Sequence, residues 1–201
     1  MSRTIVLASD NVGKLREINA LLAGSGIDIV AQSHFGVPAA DETGATFLDN
    51  ATLKARHAAH HSGHPAIADD SGIEVDALGG APGVRSARYA GVGATDLANL
   101  EKLLAALREL PTEKRTARFQ CVMVYVADAQ DPNPVVARGT WSGLITTAPR
   151  GTSGFGYDPV FLVPERGCTS AELPADEKNR LSHRGQALRA LIETLRANKI
   201  V

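Results

Sequence analysis

Hydrophobic positions recur with two different periods along this chain of 201 residues. A spacing of about two residues, or a short apolar run, is typical of strands, and a spacing of about 3.6 is typical of helices. The strand pattern covers residues 4–8, 66–68, 118–127, 135–146 and 159–163. The helix pattern covers residues 14–22, 46–63 and 95–110, and a last helix follows Ser182. This alternation predicts an α/β fold with a mixed sheet covered by helices, in which 118–127 and 135–146 form an antiparallel pair.

Each predicted helix has a core stripe and recognisable ends. Gly24 and Gly26 end the first helix, Thr46 and Asp49 form an approximate capping box, and Pro111 follows the third helix. In the second helix one face carries Phe47, Asn50, Ala51, Lys54, Ala55 and Ala58. The stripes of the other three are Leu15, Ile18 and Leu22; Leu97, Leu100, Leu104 and Leu107; and Leu188, Leu191, Ile192 and Leu195.

Composition narrows the class of protein. The length suits one domain covering residues 1–201, and the formal net charge of −1 argues against binding to nucleic-acid polymers or anionic membranes. The chain shows neither a basic, apolar leader nor an apolar run of membrane-spanning length. Two cysteines, Cys121 and Cys168, are too few for a disulfide framework, so we expect ordinary thiols in a reducing, cytoplasmic setting.

Residues 66–91 carry the most informative chemistry. The short apolar run 66–68 is followed by Asp69, Asp70, Ser71 and Gly72, which we expect to form the polar exit of a strand. Neighbouring residues of an extended segment point to opposite faces, so Asp69 and Asp70 should have different roles. One carboxylate could bind a hard cation such as Mg²⁺ while the other orients a ligand or a water. The same residues also suit a simple turn, and the sequence leaves both interpretations open.

The loop 9–14 precedes a helix and ends in Lys14. Backbone N–H groups at a helix N-terminus favour anions, and a lysine adds a full charge, so the loop could hold phosphate. It is not a P-loop, because Ala8 and Leu15 stand where that motif needs glycine and a hydroxyl residue. An ordinary helix cap explains the same residues.

Other polar residues are ambiguous when taken singly. Lys54 lies four residues after Asn50 on an apolar helical face, and it could equally be a snorkelling lysine. Glu42 could be a metal ligand or a surface acid. A zinc site among the histidines at 57, 60, 61 and 64 is not expected, because Gly63 should end the helix and no further ligand completes the set.

Two later segments could recognise a base. Phe155 and Tyr157 lie between small residues and could stack on a purine, although core packing is the usual fate of an aromatic ring. Lys178, His183 and Arg184 cluster around a helix start, where they could bind carbonyl oxygens or phosphate, or simply cap the helix.

Taken together, five segments resemble the family of inosine/xanthosine triphosphate pyrophosphatases, which remove noncanonical purine nucleotides from the precursor pool. They are, in order, "ASDNVGKLREI", "ETGATFLDNATLKA", "ADDSGIEVDALGGAPGVRSARYAG", "GFGYDPVF" and "AELPADEKNRLSHRGQAL". The resemblance spans nearly the whole chain. It implies a homodimeric, two-lobed α/β enzyme with an elongated mixed sheet and a nucleotide cleft between the lobes. Such an enzyme uses Mg²⁺ to cleave the bond between the α- and β-phosphates, releasing a nucleoside monophosphate and pyrophosphate.

The resemblance also implies a role for individual residues. Glu42 and Asp70 would hold Mg²⁺, Asp70 would also be the base for the attacking water, and Lys54 would neutralise phosphate charge. Asp69 and Ser71 would support the site. The triphosphate would bind the loop of Ser9, Asp10, Asn11, Val12, Gly13 and Lys14. The base would contact Phe155, Gly156, Tyr157, Asp158, Lys178, His183 and Arg184.

Two features of these residues bear on charge and specificity. Asp10 departs from the small or neutral residue that is usual in such loops, and we expect it to face solvent because a carboxylate beside phosphates is repulsive. Donors from Lys178, His183 or Arg184 would pair with the 6-oxo group of hypoxanthine or xanthine, whereas adenine would leave them unpaired. Guanine shares that group, so its rejection depends on the 2-position. A non-catalytic nucleotide sensor and a pyrophosphatase for pyrimidine nucleotides are the two alternatives.

Overall fold

The computed structural model describes residues 3–22 and 27–200, within which seven strands form one sheet in the order β2-β1-β3-β4-β5-β6-β7. The strands are β1 (Arg3–Leu7), β2 (Ile27–Ala31), β3 (Ala66–Val75), β4 (Thr116–Val126), β5 (Val135–Ile145), β6 (Phe161–Val163) and β7 (Cys168–Thr169). The α-helices are α1 (Val12–Leu22), α2 (Phe47–Ser62), α3 (Asp96–Ala106), α4 (Ala175–Leu181) and α5 (His183–Ala197). Short 3-10 helices cover Gln32–Phe35, Asp76–Leu78, Gly83–Arg88, Thr112–Lys114, Asp158–Val160 and Pro164–Arg166.

The sheet is mixed, which confirms the predicted α/β fold. Strand β1 pairs in parallel with β2 and with β3, whereas β6 pairs antiparallel with β5 and β7. The strands β4 and β5 are neighbours in the sheet, as the predicted pair requires.

The chain divides into two compact units, and the boundaries between them fall within β3, β4 and β5 and between α4 and α5. The first unit comprises the described residues of Met1–Asp70, Cys121–Gly139 and His183–Val201, and the second comprises Ser71–Gln120 and Thr140–Ser182.

The first unit has a separate hydrophobic cluster on each face of its strands. Ile5, Leu7 and Ile67 pack with α1 and α5, while Val6 and Ala68 belong to a second cluster with the alanines of α2. This division follows from the strand period of two, which sends alternate side chains to opposite faces. In the second unit, one cluster joins the leucines of α3 to the aromatic residues Phe119, Trp141, Tyr157 and Phe161.

Helix α2 forms as its sequence predicts. Thr46 Oγ1 accepts a hydrogen bond from the backbone N–H of Asp49, and the Asp49 carboxylate accepts one from the N–H of Thr46, which completes the capping box. Gly63 ends the helix in the left-handed conformation with φ 70°, which glycine adopts without strain. The buried residues Asn50, Ala51, Ala55, Ala58 and Ala59 form its inner face.

Helix α3 differs from its prediction at both its end and its stripe. It ends at Ala106 rather than near Leu110, because Leu107 leaves the helical conformation at φ −103° and ψ 2°. Leu97, predicted in the core, is 61% exposed, and Leu103 is fully buried in its place. Leu100, Leu103 and Leu107 follow the i, i+3, i+7 spacing of one face, and Leu97 lies in the first turn.

Other boundaries shifted by a few residues. The strand predicted from residue 159 begins at Phe161, because residues 158–160 form a 3-10 turn that contains Pro159. Strand β2, helix α4 and strand β7 were not predicted. All four leucine and isoleucine positions predicted for α5 are buried. The prediction that Gly24 and Gly26 end α1 lies outside the described residues, as does the side chain of Leu22.

Among the described residues, the structure contains no helix with the length and apolar character needed to cross a bilayer.

Candidate functional site

Strand β3 carries both central acidic residues within its length. Residues 69–72 form neither the expected polar exit of the strand nor the alternative turn, because the strand continues from Ala66 to Val75. Asp69 and Asp70 are 1% and 6% exposed, so both carboxylates are buried inside the protein. Polar residues can occupy a buried strand when their charges are paired, and both of these are.

The strand period assigns the two carboxylates to different neighbours. Asp69 lies two residues after Ile67 and therefore on the same face of β3, where the hydrophobic cluster includes residues of α1 and α5. Asp70 lies two residues after Ala68, on the opposite face, where the cluster includes residues of α2. Asp69 accordingly contacts one residue each of α1 and α5, and Asp70 contacts two residues of α2. The prediction that consecutive acids have different roles thus has a structural basis.

Asp69 forms ion pairs with two cations. Its Oδ2 lies 2.9 Å from Lys14 Nζ and 3.4 Å from Arg184 Nε. Burial alone would raise the pKa of Asp69, but Lys14 and Arg184 outweigh burial and hold it well below its usual range. Asp69 therefore remains ionised and holds Lys14, at the start of α1, against β3.

Asp70 faces a different set of groups. Asn50 Nδ2 donates to its Oδ2 at 3.1 Å, and Lys54 Nζ lies 3.2 Å from its Oδ1. Burial raises the pKa of Asp70 despite the opposing attraction of Lys54. A carboxylate whose proton affinity is raised in this way is suited to accept a proton from water.

Lys54 links Asp70 to the loop before α2. Its Nζ donates to Glu42 Oε1 at 2.8 Å as well as to Asp70. Burial disfavours the charge on Lys54, but Asp70, Asp69 and Glu42 outweigh burial and raise its pKa. Lys54 is therefore a cation, and the alternative of a snorkelling surface lysine is wrong because only 12% of its side chain is exposed.

Asn50 is a site residue that sequence reasoning placed on the right face but did not select. While its Nδ2 holds Asp70, its Oδ1 accepts from the backbone N–H of Gly44 at 2.8 Å. A Cβ at Gly44 would lie 2.6 Å from that oxygen, so the close approach requires glycine. Asn50 thereby fixes both Asp70 and the loop that carries Glu42. The available sequence signal was an amide on the predicted apolar face, four residues before Lys54, and the structure buries it fully.

The loop 9–14 forms the N-terminal cap of α1. Asn11 Oδ1 accepts from the Lys14 N–H at 3.0 Å, and Ser9 Oγ accepts from the Asn11 N–H at 3.2 Å. Val12 and Gly13 begin the helix, where first-turn N–H groups are available to an anion. The cap and the anion-binding geometry coexist here. Asp10 is exposed, as predicted, and accepts from Gln32 Nε2 at 2.6 Å.

Two carboxylates are available for a metal in the first unit. Across the described residues, no group of three His, Cys, Asp or Glu side chains is arranged to hold a metal ion. Glu42 and Asp70 both contact Lys54 Nζ, so their oxygens lie near one another. This set fits Mg²⁺, which proteins commonly bind through one or two carboxylates while waters and substrate phosphates complete its coordination.

A second polar cluster lies in the second unit around Asp158. Its Oδ2 accepts from the Phe155 N–H at 2.9 Å and from Lys178 Nζ at 2.8 Å, and its Oδ1 accepts from Ser170 Oγ at 2.8 Å. Lys178 Nζ also lies 5.3 Å from the centre of the Phe155 ring. Asp158 therefore positions both an aromatic ring and a cation.

The loop residues Gly156 and Tyr157 are held by hydrogen bonds to other residues of the second unit. Tyr157 is buried and donates its hydroxyl to the Ser86 carbonyl oxygen at 2.8 Å, so core packing, one of its two predicted alternatives, is what the structure has. The Gly156 N–H donates to Asp96 Oδ2 at 2.8 Å. Gly154 has φ 81°, and a Cβ there would clash with the Asp158 carboxylate.

The remaining predicted residues lie at the start of α5 and within β3. His183 and Arg184 are buried at the start of α5, where Arg184 contacts Asp69, and Ser71 follows Asp70 in β3. The His183 carbonyl oxygen faces Gly139, and a side chain at that glycine would collide with it. Among the histidines of α2, His57 Nε2 bonds the Pro38 carbonyl oxygen at 2.9 Å.

The buried carboxylates, the two lysines and the start of α1 together define a class of protein. The molecule is an α/β protein whose buried acidic and lysine residues lie beside a helix N-terminus, an arrangement suited to phosphate groups and a hard cation. The chain belongs to the Ham1 family, which matches residues 5–194. This result confirms the predicted family resemblance.

This chain is similar to individual known proteins over nearly their full lengths. The dITP/XTP pyrophosphatase of Shigella flexneri is 59% identical over 192 residues, which is 96% of this chain and 98% of the relative. The structure of a HAM1 protein from Coxiella burnetii has a TM-score of 0.90 and 49% identity, over 97% of this chain and 99% of the other. A nucleoside-triphosphatase / dITP/XTP pyrophosphatase from Mycobacterium abscessus has a TM-score of 0.73 and 43% identity, over 94% and 98%.

Proposed function

We propose that this protein is a nucleoside triphosphate pyrophosphatase that acts on ITP, dITP and XTP. It hydrolyses each to the nucleoside monophosphate and pyrophosphate, and so clears these purine nucleotides from the precursor pool. The observation that carries this proposal is the pair of buried carboxylates in β3, joined to Lys14, Lys54 and Glu42. The names of the Shigella flexneri and Mycobacterium abscessus relatives support the same reaction.

In the proposed site, the triphosphate binds at the N-terminus of α1. The first-turn N–H groups of Val12 and Gly13 and the ammonium of Lys14 provide donors and positive charge, while Asn11 and Ser9 keep the loop in place. Asp69 positions Lys14 through their 2.9 Å ion pair. Phosphoryl transfer depends mainly on such positioning and charge neutralisation.

Glu42 and Asp70 would hold Mg²⁺, and Ser71, the residue after Asp70 in β3, would support the site. When bound, the ion would neutralise phosphate charge and polarise the phosphorus–oxygen bonds. Asp70 would accept a proton from the attacking water, the role that the family resemblance implies for it, and burial raises its pKa in the metal-free protein. Lys54 neutralises charge on the phosphates, and Asn50 keeps the Asp70 carboxylate in one orientation through their 3.1 Å hydrogen bond.

For the base, we propose a stacking surface at Phe155 and donors from Lys178, His183 and Arg184. Asp158 and Tyr157 hold the Phe155–Gly156 loop in place. A 6-oxo group accepts a hydrogen bond from such donors, and the 6-amino group of adenine cannot. We further propose that residues 1–201 act as one functional domain, as a homodimer in the cytoplasm. The free thiols of Cys121 and Cys168 are consistent with a reducing compartment.

The test is pyrophosphate release from ITP, dITP, XTP, GTP, ATP and dTTP, each with Mg²⁺ and with EDTA. We expect metal-dependent release from the first three and at least a hundredfold less from the others. Equal release from all six would retain the hydrolytic site and refute the 6-oxo pocket. Nucleotide binding without release from any of them would instead identify a sensor. Light scattering of the purified protein tests the dimer.

A further inference from the structure

Lys54 contacts both of the carboxylates that would hold the metal in the proposed function. Its Nζ lies 2.8 Å from Glu42 Oε1 and 3.2 Å from Asp70 Oδ1, so one ammonium contacts both carboxylates of the two-carboxylate set. Only 12% of the Lys54 side chain and 8% of the Asp70 side chain are exposed, so water screens these charges weakly.

We propose that the Lys54 ammonium is a stand-in cation for the divalent metal. It balances Glu42 and Asp70 when no metal is bound, and it must leave at least one of them when the metal enters. This inference rests on the proposed function, because that function makes Glu42 and Asp70 the metal ligands. It adds that a residue of the site competes with the metal for those ligands.

The chemistry of lysine suits this exchange. Asp70, which is buried, and Glu42, which is partly buried, would repel one another without a counter-ion, and a nearby ammonium removes that penalty. The ammonium is a compact charge on a flexible four-carbon stem, so it can move away without a change in the backbone. Arginine, with a planar fork matched to carboxylates, would be harder to displace.

The surroundings keep the ligands in place when Lys54 moves. Asn50 Nδ2 holds Asp70 Oδ2, whereas Lys54 contacts Oδ1, so the two α2 residues use different oxygens of the carboxylate. Asn50 also fixes the loop of Glu42 through Gly44. Asn50 thus holds the Asp70 carboxylate and the backbone of the Glu42 loop independently of the lysine, so the counter-ion can be exchanged while Asp70 keeps its orientation.

A coupling between metal and substrate follows. A released ammonium needs a new anionic partner, and a bound triphosphate supplies one. Metal and triphosphate should therefore favour each other's binding, and the metal alone should bind weakly to the nucleotide-free protein.

Binding of Mn²⁺ to the nucleotide-free protein, followed by electron paramagnetic resonance, tests the proposal. We expect Lys54→Met to bind Mn²⁺ at least tenfold more tightly than the wild type. Lys14→Met is the matched control, since it also removes a lysine of this site, but one whose ion pair is with Asp69. We expect its Mn²⁺ affinity to stay within threefold of the wild type.

Thermal melting gives a second readout. Lys54→Met should melt below the wild type in EDTA and regain more stability than the wild type in excess Mg²⁺, because the stabilisation by a ligand at a fixed concentration grows with the logarithm of its affinity. If Lys54→Met does not fold, Lys54→Gln takes its place in both measurements.

The proposed role of Lys54 would be overturned if Lys54→Met bound Mn²⁺ no more tightly than the wild type. It would also be overturned if Lys14→Met gained as much Mn²⁺ affinity as Lys54→Met. Neither readout needs turnover. An active wild type with unchanged Mn²⁺ binding in Lys54→Met refutes only this inference, whereas tighter binding in a protein that cleaves no nucleotide refutes only the proposed reaction.

Discussion

Asp69 and Asp70 are consecutive residues of β3 whose buried carboxylates have pKa values displaced in opposite directions. Asp69 contacts Lys14 and Arg184 and is held ionised, whereas Asp70 contacts Lys54 and Asn50 and binds its proton more tightly than usual. Two carboxylates whose pKa values differ in this way can have separate roles in a hydrolase: Asp69 would position the Lys14 ammonium, and Asp70 would act as the base.

Replacing Asp70 by asparagine should abolish turnover without destabilising the protein. Loss of a general base reduces kcat by about 10²- to 10⁴-fold. Because the folded-state pKa of Asp70 is raised, the stability linked to its protonation is present below the ordinary Asp pKa and is lost as pH rises through the folded value. Asp70→Asn should therefore be the more stable protein at pH 7, by a margin that shrinks towards pH 4. Lys54 would lose its ion pair with Asp70 but keep the one with Glu42, so the substitution does not leave a buried charge without a partner. Melting curves across this range test it, and a less stable variant at pH 7 would contradict the assignment.

Replacing Asp69 by asparagine should have the opposite effect on stability. Removing one partner of a buried ion pair costs about 3–5 kcal/mol, and Arg184, 3% exposed, would lose this carboxylate partner. The folded-state pKa of Asp69 is lowered, so its contribution is present above the ordinary Asp pKa and is lost as pH falls through the folded value. Urea unfolding at pH 7 should show the full loss, and the gap to the wild type should narrow in acid. A constant gap at all pH values would argue against the ion pair as its cause.

The strand pattern explains why part of this site could be predicted. The period of two placed Asp69 and Asp70 on opposite faces, and the four-residue helical spacing placed Asn50 and Lys54 on one face of α2. The partners Lys14, Glu42 and Arg184 lie far away in sequence, and local patterns do not reveal which carboxylate each one contacts. The five ordered motifs supplied that grouping through resemblance to a family.

The wrong predictions have physical causes. Residues 69–72 have turn composition, yet they continue β3 because ion pairs outside the strand neutralise the two acids. Leucines fill several positions of α3, so its sequence alone did not decide between a stripe with Leu97 and one with Leu103. Tertiary packing made that choice.

Asn50→Ala tests whether this amide positions Asp70. We expect kcat for ITP to fall about tenfold or more, because Asp70 would lose its hydrogen bond and the Glu42 loop its contact with the Asn50 side chain. Asn99→Ala is the matched control, since Asn99 is also buried and bonds two backbone groups, at Ala87 and Ala90, away from Asp70. The control should lose comparable stability and keep its kcat within twofold. Similar kcat losses in both variants would show that Asn50 acts only through stability.

Asp158→Asn tests base recognition in the second unit. Phe155 and Lys178 would lose the carboxylate that positions them, so we expect KM for ITP to rise about tenfold with a smaller change in kcat. Glu172→Gln is the control, because Glu172 also accepts a backbone N–H three residues earlier, from Thr169. In steady-state kinetics, Glu172→Gln should keep the wild-type kcat and KM for ITP. A fall in kcat at constant KM in Asp158→Asn would place Asp158 in the chemical step instead.

The identity of the products tests the central claim most directly. Phosphorus-31 NMR of ITP incubated with the wild-type protein and Mg²⁺ should show inosine monophosphate and pyrophosphate formed in equal amounts. The same spectra with Asp70→Asn, at equal protein concentration, should show ITP essentially intact. Formation of inosine diphosphate and orthophosphate by the wild type, or undiminished hydrolysis by Asp70→Asn, would contradict the account.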